Sequence, residues 1–277
     1  MDYKTILVHF DAGRTAPARL ELALQVAQRF EAHVACLYAL SVVPPPSYAA
    51  EAGQTLVEAQ QRVQAEALQK ARAAYDECVR RAGYAKVEWR ASAADALEAV
   101  TLHGRYADLV VIGQKNPDWP SGVGKDFEQK LLLAAGRPVL IAPYAFEKRP
   151  LGENVVVAWN ASREATRALN DALPLLQRAR QVQVLAFDAV RPGSGHGEEP
   201  GADIGLYLAR HGVRVTASHY ENAGAEVGSL LLSRAFDFSA DLIVMGAWGH
   251  SRLHEMVLGG VTRTLLESMT VPVLMSH

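Results

Sequence analysis

Residues 108–113 read Asp-Leu-Val-Val-Ile-Gly, and residues 241–246 read Asp-Leu-Ile-Val-Met-Gly. Each stretch is a continuous apolar run that ends in glycine, a pattern typical of a strand covered on both faces and followed by a tight turn. Similarity this close at two distant places indicates an internal repeat, which has to be recognised before any fold is assigned.

Two further pairs of segments match in the same order along the chain. Residues 6–11 (Ile-Leu-Val-His-Phe-Asp) match residues 155–160 (Val-Val-Val-Ala-Trp-Asn), and residues 137–141 match residues 271–275. Three matched strands in one order indicate that the chain is a duplication of one unit.

The boundary between the two copies is predicted within residues 146–153, where charged residues, a proline and a glycine interrupt the strand pattern. We therefore predict a first domain over residues 1–148 and a second over residues 152–277.

Amphipathic helices alternate with these strands. Thr15 is expected to cap the first helix of copy one, and Ser162 the corresponding helix of copy two. A long helix is predicted over residues 56–79, whereas copy two has a loop at residues 192–197 and a short helix near residues 204–210. This alternation predicts an α/β fold of two tandem, doubly wound parallel sheets of the Rossmann-like type.

Composition limits the classes of partner. The chain has 277 residues, of which 49% are hydrophobic and 21% charged, so it can bury a large core. Its net charge of -2 gives no basic field for nucleic acid, and two cysteines encode no disulfide framework. No export signal or membrane-length apolar run is visible, so no membrane partner and a cytoplasmic location are expected.

In an open parallel sheet, ligands bind beyond the carboxyl ends of the strands, where the strand order reverses. Asp11 and Gly113 should meet at that edge in copy one, and Asn160 and Gly246 in copy two. For Asp11 and Asn160 the alternative role is simple helix capping.

The loop after the fourth strand of copy two is the most informative stretch, because Gly246, Gly249 and Gly259 precede an apparent helix. Glycines at such a place let backbone N–H groups approach a phosphate, and a helix N-terminus adds favourable partial charge. The alternative is a tight strand-to-helix connection retained for packing. The spacing resembles the Gly-x2-Gly-x9-Gly-Ser/Thr motif of universal stress proteins, except that Gly260 stands at the Ser/Thr position.

The resemblance implies two adenine nucleotide alpha-hydrolase-like domains packed as a pseudo-dimer through residues 139–141 and 273–275. It implies ATP, ADP or AMP in the second domain, with Mg²⁺ only alongside the nucleotide. The nucleotide-binding residues implied are Asn160, Gly246, Gly249, His250, Gly259, Gly260 and Val261. The first-domain counterpart, with Asp11, Gly113 and Asn116, is expected to be degenerate, because Asn116 and prolines replace flexible backbone.

The sequence shows no recognisable set of catalytic residues. We therefore expect a stress-response protein that binds a nucleotide without turning it over efficiently. The alternatives are a nucleotide-independent interaction module of the same fold and a slow ATPase. A metal site is not expected, because His250 and His254 have no convincing third ligand. A homodimer and an unidentified protein partner are compatible with this fold.

Overall fold

The computed structural model describes residues 2–40, 53–116, 122–146, 149–187, 201–220, 226–247 and 259–277. The predicted loop at residues 192–197, together with Gly249, His250 and His254, lies outside these described residues.

The first domain alternates strands and helices from its beginning to its end. Its elements are β1 (Thr5–Phe10), α1 (Ala16–Phe30), β2 (His33–Tyr38), α2 (Gly53–Ala82), β3 (Val87–Ala91), α3 (Ala96–Gly104), β4 (Leu109–Gly113), α4 (Phe127–Ala134) and β5 (Val139–Ala142).

The second domain repeats that order. Its elements are β6 (Asn154–Trp159), α5 (Arg163–Leu176), β7 (Gln181–Phe187), α6 (Ala202–Arg210), β8 (Val215–Tyr220), α7 (Val227–Asp237), β9 (Leu242–Gly246), α8 (Gly260–Ser268) and β10 (Val273–Ser276).

The ten strands of the described residues form one sheet, in the order β3-β2-β1-β4-β5-β10-β9-β6-β7-β8. Every pair is parallel except β5 with β10, which is antiparallel. Each half has the doubly wound order, with the reversal between β1 and β4 and again between β6 and β9. The predicted fold class is therefore confirmed, and the two sheets are continuous with each other.

The joint between the halves is the pairing of β5 with β10. Val139 faces Met275, Leu140 faces Leu274, and Ile141 faces Val273, and all six side chains are fully buried. This confirms the pairing of residues 139–141 with 273–275 that the resemblance implied.

Asp108 and Asp241, which precede β4 and β9, have the same structural role in the two domains. The Asp108 carboxylate accepts hydrogen bonds from the backbone N–H groups of Lys4 (2.7 Å) and Thr5 (2.9 Å), where β1 begins. Asp241 holds the start of β6 in the same way, through the N–H groups of Gly152 (2.6 Å) and Asn154 (3.1 Å). Each carboxylate thus fixes the register of a first strand against its neighbour.

The capping predicted for the first helix of each copy is confirmed for Ser162 and only in part for Thr15. The Ser162 side chain accepts from the N–H of Ala165 at 3.1 Å, so its predicted cap is confirmed. Thr15 lies at the N-cap position of α1 as predicted, but its side chain makes no capping hydrogen bond. The Asp11 carboxylate accepts from the N–H of Gly13 at 2.8 Å and orders the turn that precedes α1.

Helix lengths follow the prediction. The long helix of copy one is α2, and the short helix of copy two is α6. Among the described residues, none of the helices combines the length and apolar character needed to span a membrane.

We predict that residues 1–150 do not form a stable monomer by themselves, because removing β10 leaves β5 as an unpaired, fully apolar edge strand. Expression of this fragment, followed by size-exclusion chromatography and thermal unfolding, should show aggregation or self-association. A soluble monomer that unfolds cooperatively would contradict the prediction.

Candidate functional site

The structure brings the described second-domain residues to one edge of the sheet. Asn160 follows β6, Gly246 ends β9, and Gly259 and Gly260 begin α8. β6 and β9 are neighbours in register, with Val157 beside Val244, so their carboxyl ends meet at the reversal of strand order.

Gly246 lies in close contact with the start of α5. A Cβ atom at this position would stand 2.4 Å from the backbone nitrogen of Ala165 and 2.5 Å from the carbonyl carbon of Glu164. Only glycine fits without moving the helix, so Gly246 has a packing role whether or not a ligand binds nearby.

The N-terminus of α8 has a different character. Gly259 is its N-cap residue and, being glycine, offers no side chain as a cap. A Cβ atom at Gly259 or Gly260 would have no heavy atom of the described residues within 4 Å. The described part of the chain therefore leaves the backbone open on the Cβ side of Gly259 and Gly260, and the N–H groups of the first turn have no acceptor within the helix.

The first domain has a cavity of about 210 Å³ at the corresponding edge. Asp11, Gly113 and Asn116, the three residues predicted there, all line it. It is also lined by residues that the sequence did not single out as a group, namely His9, Arg14, Arg19, Gln114, Lys115, Phe127 and Glu128.

Asp11 forms a buried ion pair with Arg19. The Arg19 Nη2 atom donates to Asp11 Oδ2 at 2.9 Å, and the two residues are only 2% and 4% exposed. Burial alone would raise the pKa of Asp11, but the Arg19 guanidinium and the hydrogen bonds lower it below its ordinary value. The guanidinium also lies against Gly113, where a Cβ atom would be 2.8 Å from Nη1.

Glu128 occupies the start of α4. It is 6% exposed, and its Oε1 accepts from the N–H of Lys115 at 2.5 Å. Its carboxyl group also bonds with its own backbone N–H, and burial raises its pKa in spite of these hydrogen bonds. The position that suits an external anion at a helix N-terminus is thus filled by a side chain of the same chain.

His9 lies fully buried at the same cavity. Its Nε2 is 2.9 Å from the carbonyl oxygen of Ala39, and its ring is 5.0 Å from the Phe127 ring. Burial lowers the pKa of His9 to about 4, an effect that Asp11 opposes and Arg19 reinforces. Because a carbonyl only accepts, the neutral ring carries its proton on Nε2, which leaves Nδ1 as an acceptor. Nδ1 has no hydrogen-bond partner among the described residues.

The second domain has apolar or smaller residues at the equivalent places. In the repeat alignment His9 corresponds to Ala158 and Arg19 to Ala168. Gln114 corresponds to Ala247, and Glu128 to Thr262 when counted back from the following strand. The two domains therefore share a backbone but not the polar groups at this edge.

The family-level comparisons agree with this architecture. The model of the universal stress protein family matches residues 2–143 and 152–277. The chain therefore belongs to the universal stress protein family, with two family domains in tandem. No match was found among curated proteins.

Solved structures extend the likeness to the whole chain. A universal stress protein from Archaeoglobus fulgidus is 17% identical, with 98% of this chain and 95% of that chain covered and a TM-score of 0.64. A functionally unknown protein from Pseudomonas aeruginosa is 15% identical, with 99% and 92% covered and a TM-score of 0.58. At these identities the likeness establishes the fold alone.

A third solved structure holds a nucleotide. It is a universal stress protein in complex with cAMP, 20% identical, with 51% of this chain and 97% of that chain covered and a TM-score of 0.34. The bound cAMP is a property of that protein.

One sequence signal could have identified part of the first-domain cluster. Arg19 lies on the buried stripe of α1, between Ala16 and Ala23, at positions that are otherwise apolar. A charge on a core-facing stripe requires a partner, and Asp11, at the end of the preceding strand, is the nearest carboxylate on the N-terminal side of Arg19.

We predict that His9 makes the protein less stable in acid. A folded pKa near 4, against an ordinary value of 6.5, means that the unfolded state binds the proton first. This contribution to stability is complete above pH 6.5 and is lost as pH falls from 6.5 towards 4, by up to about 3 kcal/mol.

The matched variant is His9→Leu, which cannot take up the proton. Urea unfolding at pH 7 and pH 4 should show a smaller loss of stability for this variant than for the wild type. Equal losses in the two proteins would contradict the prediction.

Proposed function

We propose that this universal stress protein binds an adenine nucleotide, ATP, ADP or AMP, in its second domain. The nucleotide would act as a ligand that changes conformation or the choice of protein partner, and not as a substrate. The observation that carries the proposal is the contrast between the two helix starts. Within the described residues, α8 begins with two glycines whose Cβ positions are open, whereas the first turn of α4 carries a buried carboxylate, Glu128, which accepts from the N–H of Lys115.

The phosphates would bind the N–H groups of the first turn of α8. The glycine spacing that includes Gly249 lies outside the described residues, so its part rests on the sequence alone. Gly260 removes the hydroxyl that the family motif carries, which leaves backbone donors as the phosphate ligands.

Asn160 would meet the nucleoside part. Its Oδ1 already accepts from the N–H of Ser162 at 3.2 Å, so its NH₂ group is the side of the amide with donors to offer. Glu164 carries a negative charge near this edge, but Arg163 pairs with it at 2.8 Å and offsets its repulsion of phosphate.

Magnesium would come only with a nucleotide. Among the described residues there is no cluster of three His, Cys, Asp or Glu side chains that could hold a metal ion. A cytoplasmic location, a homodimer and an unidentified protein partner belong to the same proposal.

We predict that nucleotide binding is confined to the second domain. Gly249→Val should abolish it, because a side chain there obstructs the backbone approach to a phosphate. Asn116→Ala, at the first-domain cavity, is the matched control and should bind normally. Gly260→Ser should strengthen ATP binding by about 1 kcal/mol, the net value of one hydrogen bond.

Calorimetric titration of AMP, ADP and ATP into these three variants gives the answer. Equal binding by the wild type and Gly249→Val, or loss of binding in Asn116→Ala, would contradict a second-domain site. If the folded wild type binds none of the three nucleotides, the alternative is a nucleotide-independent interaction module. The packing role of Gly246 favours that alternative, because it explains the glycine without a ligand.

We predict little or no ATP turnover, because phosphoryl transfer depends on positioned charges and metal ligands. Phosphate release should stay at the level of a Gly249→Val control when both proteins are incubated with ATP and Mg²⁺. Robust release by the wild type that this variant abolishes would establish a slow ATPase instead.

A further inference from the structure

The C-terminal end of α8 is bound to the first domain. The last backbone hydrogen bond at this end runs from the N–H of Met269 to the carbonyl oxygen of Leu265. The carbonyl group of Leu266 is therefore one of those that a helix leaves without an internal partner. Gln114 Nε2 donates to this oxygen at 2.8 Å. The first domain thus supplies a donor that α8 itself lacks.

Gln114 is held in a fixed position. Its side chain is buried, and its backbone N–H donates to the carbonyl oxygen of Ala142 at 2.7 Å. Its Oε1 accepts from the N–H of Tyr144 at 3.1 Å. The partners on the two sides of the amide settle its orientation, because an N–H group only donates and a carbonyl group only accepts. Both ends of the amide are therefore in use.

The second domain does not return this contact. Ala247 stands at the place of Gln114 in the repeat, and a methyl group has no proton to donate to α4. Arg167 of the second domain donates to the carbonyl oxygen of Gly136 at 2.8 Å, beyond the end of α4. The bond from Gln114 therefore makes α8 the helix of this pair that the other domain binds directly.

The contact bears on the opposite end of the same helix. α8 has only nine residues, and its first turn carries the N–H groups proposed to bind phosphate. Because a short helix moves as one body, a bond near its C-terminus also limits where its first turn lies. A donor at this end is favourable for the helix dipole as well. Donors that are held in place before a ligand arrives bind it more tightly.

We propose that Gln114 is a positioning residue of the second-domain nucleotide site, through which the first domain holds α8 in its binding-competent place. The inference rests on the proposed function and deepens it, because it gives the first domain a part in binding at the second. Lys115, the next residue, donates its N–H to Glu128. One short segment after β4 thus joins the polar edge of the first domain to α8.

The test compares the full-length wild type with Gln114→Met, which keeps the length of the side chain but removes the amide. Exchange of backbone amide protons is followed by NMR, and AMP is titrated by calorimetry. Exchange in α8 should be about fivefold faster, the effect of one net hydrogen bond, while exchange in α5 stays unchanged. AMP should bind about fivefold more weakly, because less of the protein has α8 in place.

Arg167→Met is the matched control, because it removes a donor between the domains that does not contact α8. It should resemble the wild type in α8 exchange and in AMP binding. If Gln114→Met speeds exchange equally in α8 and α5, Gln114 only stabilises the fold and the proposal is overturned. Faster exchange in α8 with unchanged AMP binding would overturn it too.

The wild type decides the proposal even if Gln114→Met fails to fold. Coupling between two sites is reciprocal, so saturating AMP should slow exchange of the Tyr144 N–H that is bonded to Gln114. AMP binding without this change would contradict the proposal. If the folded wild type binds no AMP, the proposed function fails and this inference fails with it. That result is distinct from equal binding by the wild type and Gln114→Met.

Discussion

The antiparallel pairing of β5 with β10 is the constraint on which the rest of the structure depends. It joins two five-stranded parallel sheets into one sheet of ten, and its residues are fully buried. Contacts beside it fix the angle between the halves. Tyr3 of the first domain donates to the backbone oxygen of Asp171 in the second at 2.7 Å, and Gln114 of the first domain donates to the backbone oxygen of Leu266 in the second at 2.8 Å. Because the two halves are held together in this way, the polar residues at the carboxyl-end edge of either sheet can differ while the fold stays the same.

The two domains carry different polar groups at the carboxyl-end edges of their sheets. In the first domain, Asp11 and Glu128 are both bonded within the protein, to Arg19 and to backbone N–H groups. In the second domain the corresponding places hold Asn160 and Thr262, and α8 begins at Gly259, which has no side chain to cap it. Internal anions and an internal cation thus lie together at the first-domain edge, while at the second-domain edge the proposed nucleotide would meet backbone donors.

The repeat, the fold class and the pairing of the last strands could be predicted from sequence, because matched apolar runs and their order survive duplication. The polar cluster of the first domain could not. Arg19 and Glu128 are more than 100 residues apart, and their approach depends on how α1 and α4 pack over the end of β4. Thr15 lies at the N-cap of α1 as its residue type indicates, but its backbone is helical (φ -89°, ψ -7°) and not extended, and its side chain makes no capping hydrogen bond.

A crystal structure of the full-length protein grown with saturating AMP tests the central claim, that the two edges differ in what they can bind. The account predicts the phosphate at the N-terminus of α8, with Glu128 still bonded to the N–H of Lys115 in the first domain. A phosphate at the start of α4 with Glu128 displaced, or AMP bound alike in both domains, would contradict it.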